Sequence, residues 1–476
     1  MLKSFKYTFC KVFVFIILLS LILSGCRKQS KDLPVSSDTA SHIVANKSDE
    51  DFEDSSQQSS VTEKPKSTSP IKSAKSSTTP LIEQKPAKSQ IHHTYSDMKC
   101  IWLSQYDCND IFCENGKQRN IADYKSLISV VLNNIKNCGL NTIFVQMRPN
   151  ADSIYPSDYY PPSIYAVGKY GKSFSYDPVA ILLEEAHNRQ LSVHAWINPL
   201  RAITDEQMQA IPEKYPLKQW YNDVNLKGKY IVFVQNRWYL NPAYPEVQGL
   251  ILNGVKEMLS KYTFDGLHMD DYFYPTSDAF FDSAAYTDYQ NGGGTMTVDD
   301  FRRSCLNTLV KQIYNTVKSV NSTLPYGISP SGVVEHVYQE LYADVYLWCS
   351  EWGYIDYICP QVYFGFEHQT ADFKKICNTW CDMISENSGV NLIIGMTLGK
   401  ALNGIDVYAG TGQNEWAEHK DILKRSLEYT DTLPHCIGVS FYCYQYFFNP
   451  VSGESIVQTQ SERDAFLPIL STISWQ

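Results

Sequence analysis

Eight short runs rich in β-branched and aromatic residues punctuate the chain, at 100–104, 142–148, 191–197, 265–270, 325–330, 355–361, 391–397 and 436–442. Between them lie stretches with helical spacing of apolar residues, near 122–138, 177–190, 245–262, 298–320, 338–352, 370–386 and 414–430, and a last one near 456–470. A strand that reaches the next strand through a helix needs a crossover, so such strands run parallel. Pro178 and Pro245 fall where a first helical turn begins, a place that tolerates proline because its missing N–H would have no partner there. Gly139 follows the first helical stretch where a C-cap belongs. Eight such units predict an α/β chain closed into a (β/α)8 TIM barrel. The alternative is an open, doubly wound sheet, but no glycine-rich phosphate loop follows any of the runs to give that architecture its usual purpose.

What precedes residue 96 has a different character. Lys3, Lys6 and Lys11 accompany an apolar run from Val12 to Ile22 that is too short to span a bilayer comfortably, and Leu23-Ser24-Gly25-Cys26 closes it. A charged start, a short apolar core and a small-residue cleavage site describe a secretory signal peptide. With cysteine at the cut, residues 1–26 resemble a bacterial lipoprotein signal, and Cys26 would be the lipidated first residue of the mature chain. A plain signal peptide or an uncleaved anchor helix are the other readings. Residues 27–95 are dominated by Ser, Lys, Thr, Pro, Asp and Glu, with Phe52 the one aromatic before Tyr95. Such a segment has nothing to bury and reads as a disordered tether. The expectation is an exported domain, 96–476, held at the cell membrane by its lipid and facing the extracytoplasmic side.

Composition narrows the partner. A formal net charge of −10 argues against nucleic acid. All nine tryptophans lie between Trp102 and Trp475, and an acidic, aromatic-rich exported domain suits a polysaccharide or other glycan, whose rings stack on aromatic faces. Apart from Cys10 and Cys26, the cysteines show no disulfide-framework spacing and read as free, buried thiols. Cys377 and Cys381 lack the further His or Cys of a zinc site. No cofactor and no metal are expected.

The fourth run, Leu267-His268-Met269-Asp270-Asp271-Tyr272-Phe273, points to the chemistry. Side chains alternate along a strand. Leu267 and Met269 therefore share one face, while Gly266, His268 and Asp270 share the other, which suits the inside of a barrel. A carboxylate at the C-terminal end of a barrel strand is where such folds keep their active sites. The same alternation turns Gln146 and Arg148, His194, Trp196 and Asn198, Ser329 and Ser331, Gln361 and Tyr363, and Ser440, Tyr442 and Tyr444 toward the axis. A one-residue slip would invert any of these assignments.

Five segments now occur in order: Val145-Gln146-Met147-Arg148-Pro149, His194-Ala195-Trp196-Ile197-Asn198-Pro199, Asp265 through Pro275, Gly327-Ile328-Ser329-Pro330, and Ile355 through Tyr363. Together they resemble the family-10-like glycosyl hydrolases, bacterial lipoproteins with a TIM-barrel catalytic domain, over roughly residues 98 to 450. The resemblance implies hydrolysis of glycosidic bonds, with cell-wall glycan strands, especially peptidoglycan glycan stripped of peptides, among the substrates.

Such hydrolysis generally uses two carboxyl groups flanking the bond, about 5–5.5 Å apart in retaining enzymes and ~6.5–9.5 Å apart in inverting ones. Asp270 is the first candidate. Asp271 is either its catalytic partner or a neighbour that raises its pKa by like charge. Because adjacent residues rarely face one bond from both sides, Glu367, in the aromatic loop after the sixth strand, is the candidate proton donor, and Asp152 a weaker one. Arg148, Asp152, His194, Trp196, Asn198, His268, Gln361, Tyr363 and Tyr442 are the candidate sugar-binding residues. Asp265 and Asp356, at the opposite strand ends, read as structural. Trp220, Trp238 and Tyr239, in the long insertion after the third strand, either line further sugar subsites or simply pack. The competing class is a surface lipoprotein that binds carbohydrate without cleaving it.

Overall fold

The structure, a computed structural model, describes residues 96–475. The expected signal peptide, Cys26 and the expected tether lie outside the described residues. Eight parallel strands close into a barrel: β1 (Met98–Leu103), β2 (Thr142–Arg148), β3 (Ser192–Ile197), β4 (Gly266–Met269), β5 (Tyr326–Ile328), β6 (Tyr357–Ile358), β7 (Asn391–Thr397) and β8 (Cys436–Tyr442). Each pairs with its sequence neighbours, and β8 returns to β1 through the pairs Met98–Gly438 to Ile101–Phe441. The predicted (β/α)8 closure therefore holds, and the open sheet is excluded.

The helices that follow the strands include α1 (Ile121–Asn137), α2 (Pro178–His187), α3 (Pro245–Lys261), α4 (Val298–Val320), α5 (Val345–Ser350), α6 (Phe373–Asp382), α7 (Ile422–Thr430) and α8 (Gln460–Leu470). Their starts follow local chemistry. The side chains of Asn120, Asp177 and Thr297 accept the backbone N–H groups that a first turn leaves unpaired, and Pro178 and Pro245 occupy first-turn positions. The stretch expected as one helix over 338–352 is instead two short ones, Val334–Gln339 and α5. Tyr342 takes a left-handed φ of 56° between them, and the Asp344 side chain caps the second by accepting from Leu347 N–H.

Two apolar clusters follow from the strand alternation. Ile143, Val145, Met147, Val193, Ala195, Leu267 and Met269 point outward and pack with helix residues such as Ile128, Val131, Leu182 and Val255. Trp102, Phe144, Trp196, Tyr357, Cys359 and Ile393 point inward and form a separate cluster in the barrel interior. Burying each such large side chain contributes roughly 1.5–3 kcal/mol. Glycines make the inner packing possible: a Cβ on Gly266 would lie 2.5 Å from the His194 ring, and one on Gly327 would lie 2.1 Å from the Tyr357 ring. The insertion after β3 carries an antiparallel hairpin, Ile231–Val234 with Arg237–Leu240. An isolated bridge between Arg201 and Tyr239 ties that hairpin to the loop leaving β3.

Candidate active site

At the end of β4 the chain leaves the barrel with Asp270 6% exposed and Asp271 half-buried. Asp270 Oδ2 accepts a hydrogen bond from Trp196 Nε1 on β3 at 3.1 Å. Its Oδ1 accepts from Asp271 N–H at 2.9 Å and from Gln361 Nε2, beyond β6, at 3.2 Å. Three different segments thus hold one carboxylate in place. The side chains of Asp270 and Asp271 are also hydrogen-bonded to each other.

Burial raises both carboxyls above the ordinary aspartate range. At Asp270 the bonds from Asp271 and Trp196 and the nearby charge of Arg201 offset part of that rise. At Asp271 the negative charge of Asp270 adds to it, so its carboxyl is pushed well up. The pair therefore ionises in two steps as a coupled unit, the second proton being held more tightly than the first. One carboxylate and one carboxylic acid side by side make a proton-transfer unit.

Aromatic groups wall this unit. Tyr363 and Tyr442 stack with ring centroids 5.8 Å apart, and Trp102 lies edge-on to Tyr442 at 6.1 Å. Tyr363 also feels the charges of Asp270 and Asp271, which places its phenol beside them. Arg201, three residues past Asn198, sits with its guanidinium 4.5 Å from the ring of Tyr272 and within electrostatic reach of both aspartates. The sequence reading missed Arg201 because it follows the strand, where alternation no longer assigns a direction; its signal was proximity to the end of β3.

Of the residues expected in the site, the structure brings together Asp270, Asp271, Trp196, Gln361, Tyr363 and Tyr442. Others lie elsewhere. Arg148 faces outward, not toward the axis: Gln146 pairs with Trp196 but Arg148 pairs with Ile197, so a bulge at Met147 reverses the alternation. Its guanidinium lies over the Tyr160 ring at 4.7 Å and against Gly254 of α3. Asp152 is fully buried in the loop after β2, accepting from Asn150 N–H and from the Tyr170 hydroxyl. Asn198 is 3% exposed and its amide is spent on Gln146 and Pro149, tying strand ends together.

His194 and His268 are inward-facing as expected but lie fully buried in the barrel interior, where sugar cannot reach. Trp102 Nε1 can only donate, so His268 Nε2 accepts its bond at 3.1 Å. The neutral ring then donates from Nδ1 to the Tyr357 hydroxyl at 3.0 Å, and that hydroxyl donates to His194 Nδ1 at 3.2 Å. Burial holds both rings neutral, lowering the pKa of His194 to about 3 and that of His268 well below the usual range. They form a polar floor beneath Asp270.

Glu367 does not take the place of a proton donor. Glu415, 1% exposed, accepts the backbone N–H groups of Phe366 and Glu367 and fixes that loop. The Glu367 side chain turns outward, 52% exposed, and meets His419 at 3.5 Å. The desolvation that an aromatic neighbourhood was expected to provide is absent there. Tyr444 likewise faces outward, its hydroxyl accepting from Asn134 of α1. Trp220 and Trp238 are buried and pack within the insertion, Trp238 donating to Asp205. The foot of the barrel is as expected: Asp265 accepts Val193 N–H and meets His187, and Asp356 accepts Tyr326 N–H and meets Lys318. Eleven cysteines, from Cys100 to Cys443, are free thiols.

The comparisons with known proteins bear on the family and the barrel. The family model described as glycosyl hydrolase-like 10 matches residues 97–408. The chain belongs to that family. It is 33% identical over 329 residues to glycosyl hydrolase YngK of Bacillus subtilis, a match covering 65% of this chain and 62% of YngK. The chain thus spans less than two thirds of that relative's length. It is 29% identical over 410 residues to glycosyl hydrolase DigH of Escherichia coli K12, covering 81% of this chain and 91% of DigH. Among solved structures, the glycoside hydrolase domain of PgaB (BpsB) from Bordetella bronchiseptica superposes with a TM-score of 0.50 at 12% identity, over 78% of this chain and 98% of that one. At that identity the likeness concerns the fold.

Proposed function

We propose that this family member hydrolyses O-glycosidic bonds of an envelope polysaccharide, peptidoglycan glycan strands freed of their peptides being the favoured substrate. The observation that carries the reading is the Asp270–Asp271 pair, two side chains hydrogen-bonded to each other at the mouth of the barrel, with Asp270 held by Trp196 and Gln361. In this mechanism the pair works from one side of the bond: it supplies the proton that the leaving glycosidic oxygen needs and takes a proton back from the water that completes the reaction. Trp196 and Gln361 keep Asp270 oriented, while Tyr363 and Tyr442 stack against a sugar ring. No cofactor enters the mechanism.

The protein acts, in this reading, from the extracytoplasmic face of the cell membrane, anchored by lipid at Cys26 and reaching its substrate across the 27–95 tether. The net charge of −10 and the polar, aromatic mouth suit a glycan and not nucleic acid. The experiment is incubation of the protein with purified peptidoglycan, intact and peptide-stripped, followed by mass analysis of released sugars. Cleaved fragments from the stripped strands support the reading, whereas unaltered glycan despite measurable binding would leave a carbohydrate-binding lipoprotein. Near-wild-type turnover by Asp270→Asn would refute the assignment of the acid.

A further inference from the structure

Arg201 is mostly buried beside the aspartates, with its guanidinium stacked on an aromatic ring. It is 8% exposed, stacked at 4.5 Å on Tyr272, with Tyr106, Tyr165 and Tyr239 around it. Among the described residues its guanidinium makes no hydrogen bond and no ion pair. Arg302, by contrast, bonds to both carboxylate oxygens of Asp282 at 2.8 and 2.7 Å, to Tyr342, and to the carbonyls of Ser277 and Asp278.

The aspartates beside Arg201 do not fill that need. Asp270 already accepts from Trp196, Gln361 and Asp271 N–H, and Asp271 shares its proton with Asp270. Tyr272 covers one face of the guanidinium, and its edge of planar N–H donors is left open to a ligand. That edge matches a carboxylate, which it can hold through two parallel hydrogen bonds. Tyr106 and Tyr272, 39% and 37% exposed, offer aromatic faces next to it for the ring bearing that group.

We propose that Arg201 is a specificity-determining residue that binds a carboxylate carried by the glycan, in a subsite adjoining the Asp270–Asp271 pair. The inference rests on the glycan reading of this mouth but not on cleavage. The substrate is then an acidic saccharide, and a neutral chain of the same sugars is discriminated against. A lactyl ether on the sugar or a uronic acid would present the same chemistry.

The test is calorimetric binding to the whole protein, with oligosaccharides from peptide-stripped peptidoglycan as one probe and the same oligosaccharides with their carboxylates reduced to alcohols as the other. Wild type should bind the acidic form about tenfold more tightly than the reduced one, as loss of one charge-assisted bidentate contact predicts. Arg201→Gln should erase that difference while leaving affinity for the reduced form within about twofold, and Arg201→Lys should retain part of it. Equal affinity of wild type for the two probes would overturn the proposal, because it needs no variant to be read. So would an equal loss on both probes in Arg201→Gln, which would make Arg201 a positioning residue for the aspartates, and so would no binding of either probe. Binding without cleavage would count against the hydrolase reading and leave the role of Arg201 standing.

Discussion

Asp265 and Asp270 stand at the two ends of the same strand segment and do opposite things. At the foot, Asp265 is about one-third exposed, accepts Val193 N–H at 2.7 Å and meets His187 at 2.9 Å. Asp356 repeats the pattern one strand over from β5, with Lys318 and Tyr326 N–H. Each foot carboxylate accepts a backbone N–H and meets a basic side chain, so its acceptor oxygens are spent on the fold. At the mouth, Asp270 has as its nearest titratable partner another aspartate, and the cation nearby, Arg201, makes no ion pair with it among the described residues. The same side chain is glue where its partners complement it and a reagent where a like group and burial frustrate it.

The largest expected effect separates the two ends. Asp270→Asn should lower kcat/KM on stripped glycan by about 10³-fold, within the range for removing acid–base catalysis, with thermal unfolding unchanged. Asp356→Ala should do the reverse. Breaking its buried pair with Lys318 costs about 3 kcal/mol in urea unfolding while kcat of the folded protein holds. If Asp356→Ala abolished turnover at unchanged stability, the division between foot and mouth would fail.

Asp107 sharpens the comparison, because it lies just after β1, on the mouth side, yet its oxygens, like those of the foot, are spent on the fold. Its carboxyl accepts from Ser104 N–H, the Ser104 hydroxyl and Gln445 N–H, and burial raises its pKa from 3.8 to about 6. Between those values the native state keeps a proton that the unfolded chain has lost. Stability contributed by this group therefore falls as pH rises from about 4 to about 6 and stays lower above, by about 3 kcal/mol. Asp107→Asn should flatten that part of the stability–pH curve; an unchanged slope would show that Asp107 is not its source. The smallest effect is expected of Trp196→Phe, which keeps an aromatic wall but removes the donor to Asp270 Oδ2. A loss of about tenfold in kcat/KM should accompany an upward shift of the acid limb of the pH–rate profile.

The barrel was legible because its signal is repeated. Each strand carries its own apolar run, and caps such as Asn120, Asp177 and Thr297 mark helix starts locally. Asp270, Trp196, Gln361 and Tyr363 were legible for a related reason: they sit at or just past regular strands, where alternation assigns a face. What alternation does not encode is depth along the axis, so His194 and His268 were assigned the right face and the wrong level. Nor does it register the bulge that turns Arg148 out. Loops obey neither rule: the outward turn of Glu367 depends on Glu415, far along the chain, accepting two backbone N–H groups. The position of Arg201 beside the aspartates is likewise a product of the hairpin that pairs Tyr239 with it.

The shared proton is the centre of this account, and the pH dependence of kcat/KM on peptide-stripped glycan strands reads it directly. Wild type should give a bell whose acid limb lies above the ordinary aspartate range and whose alkaline limb reports the proton held by Asp271. Asp271→Asn should lose that alkaline limb and fall by about 10²-fold at neutral pH. A variant that kept the wild-type profile at wild-type rate would contradict it.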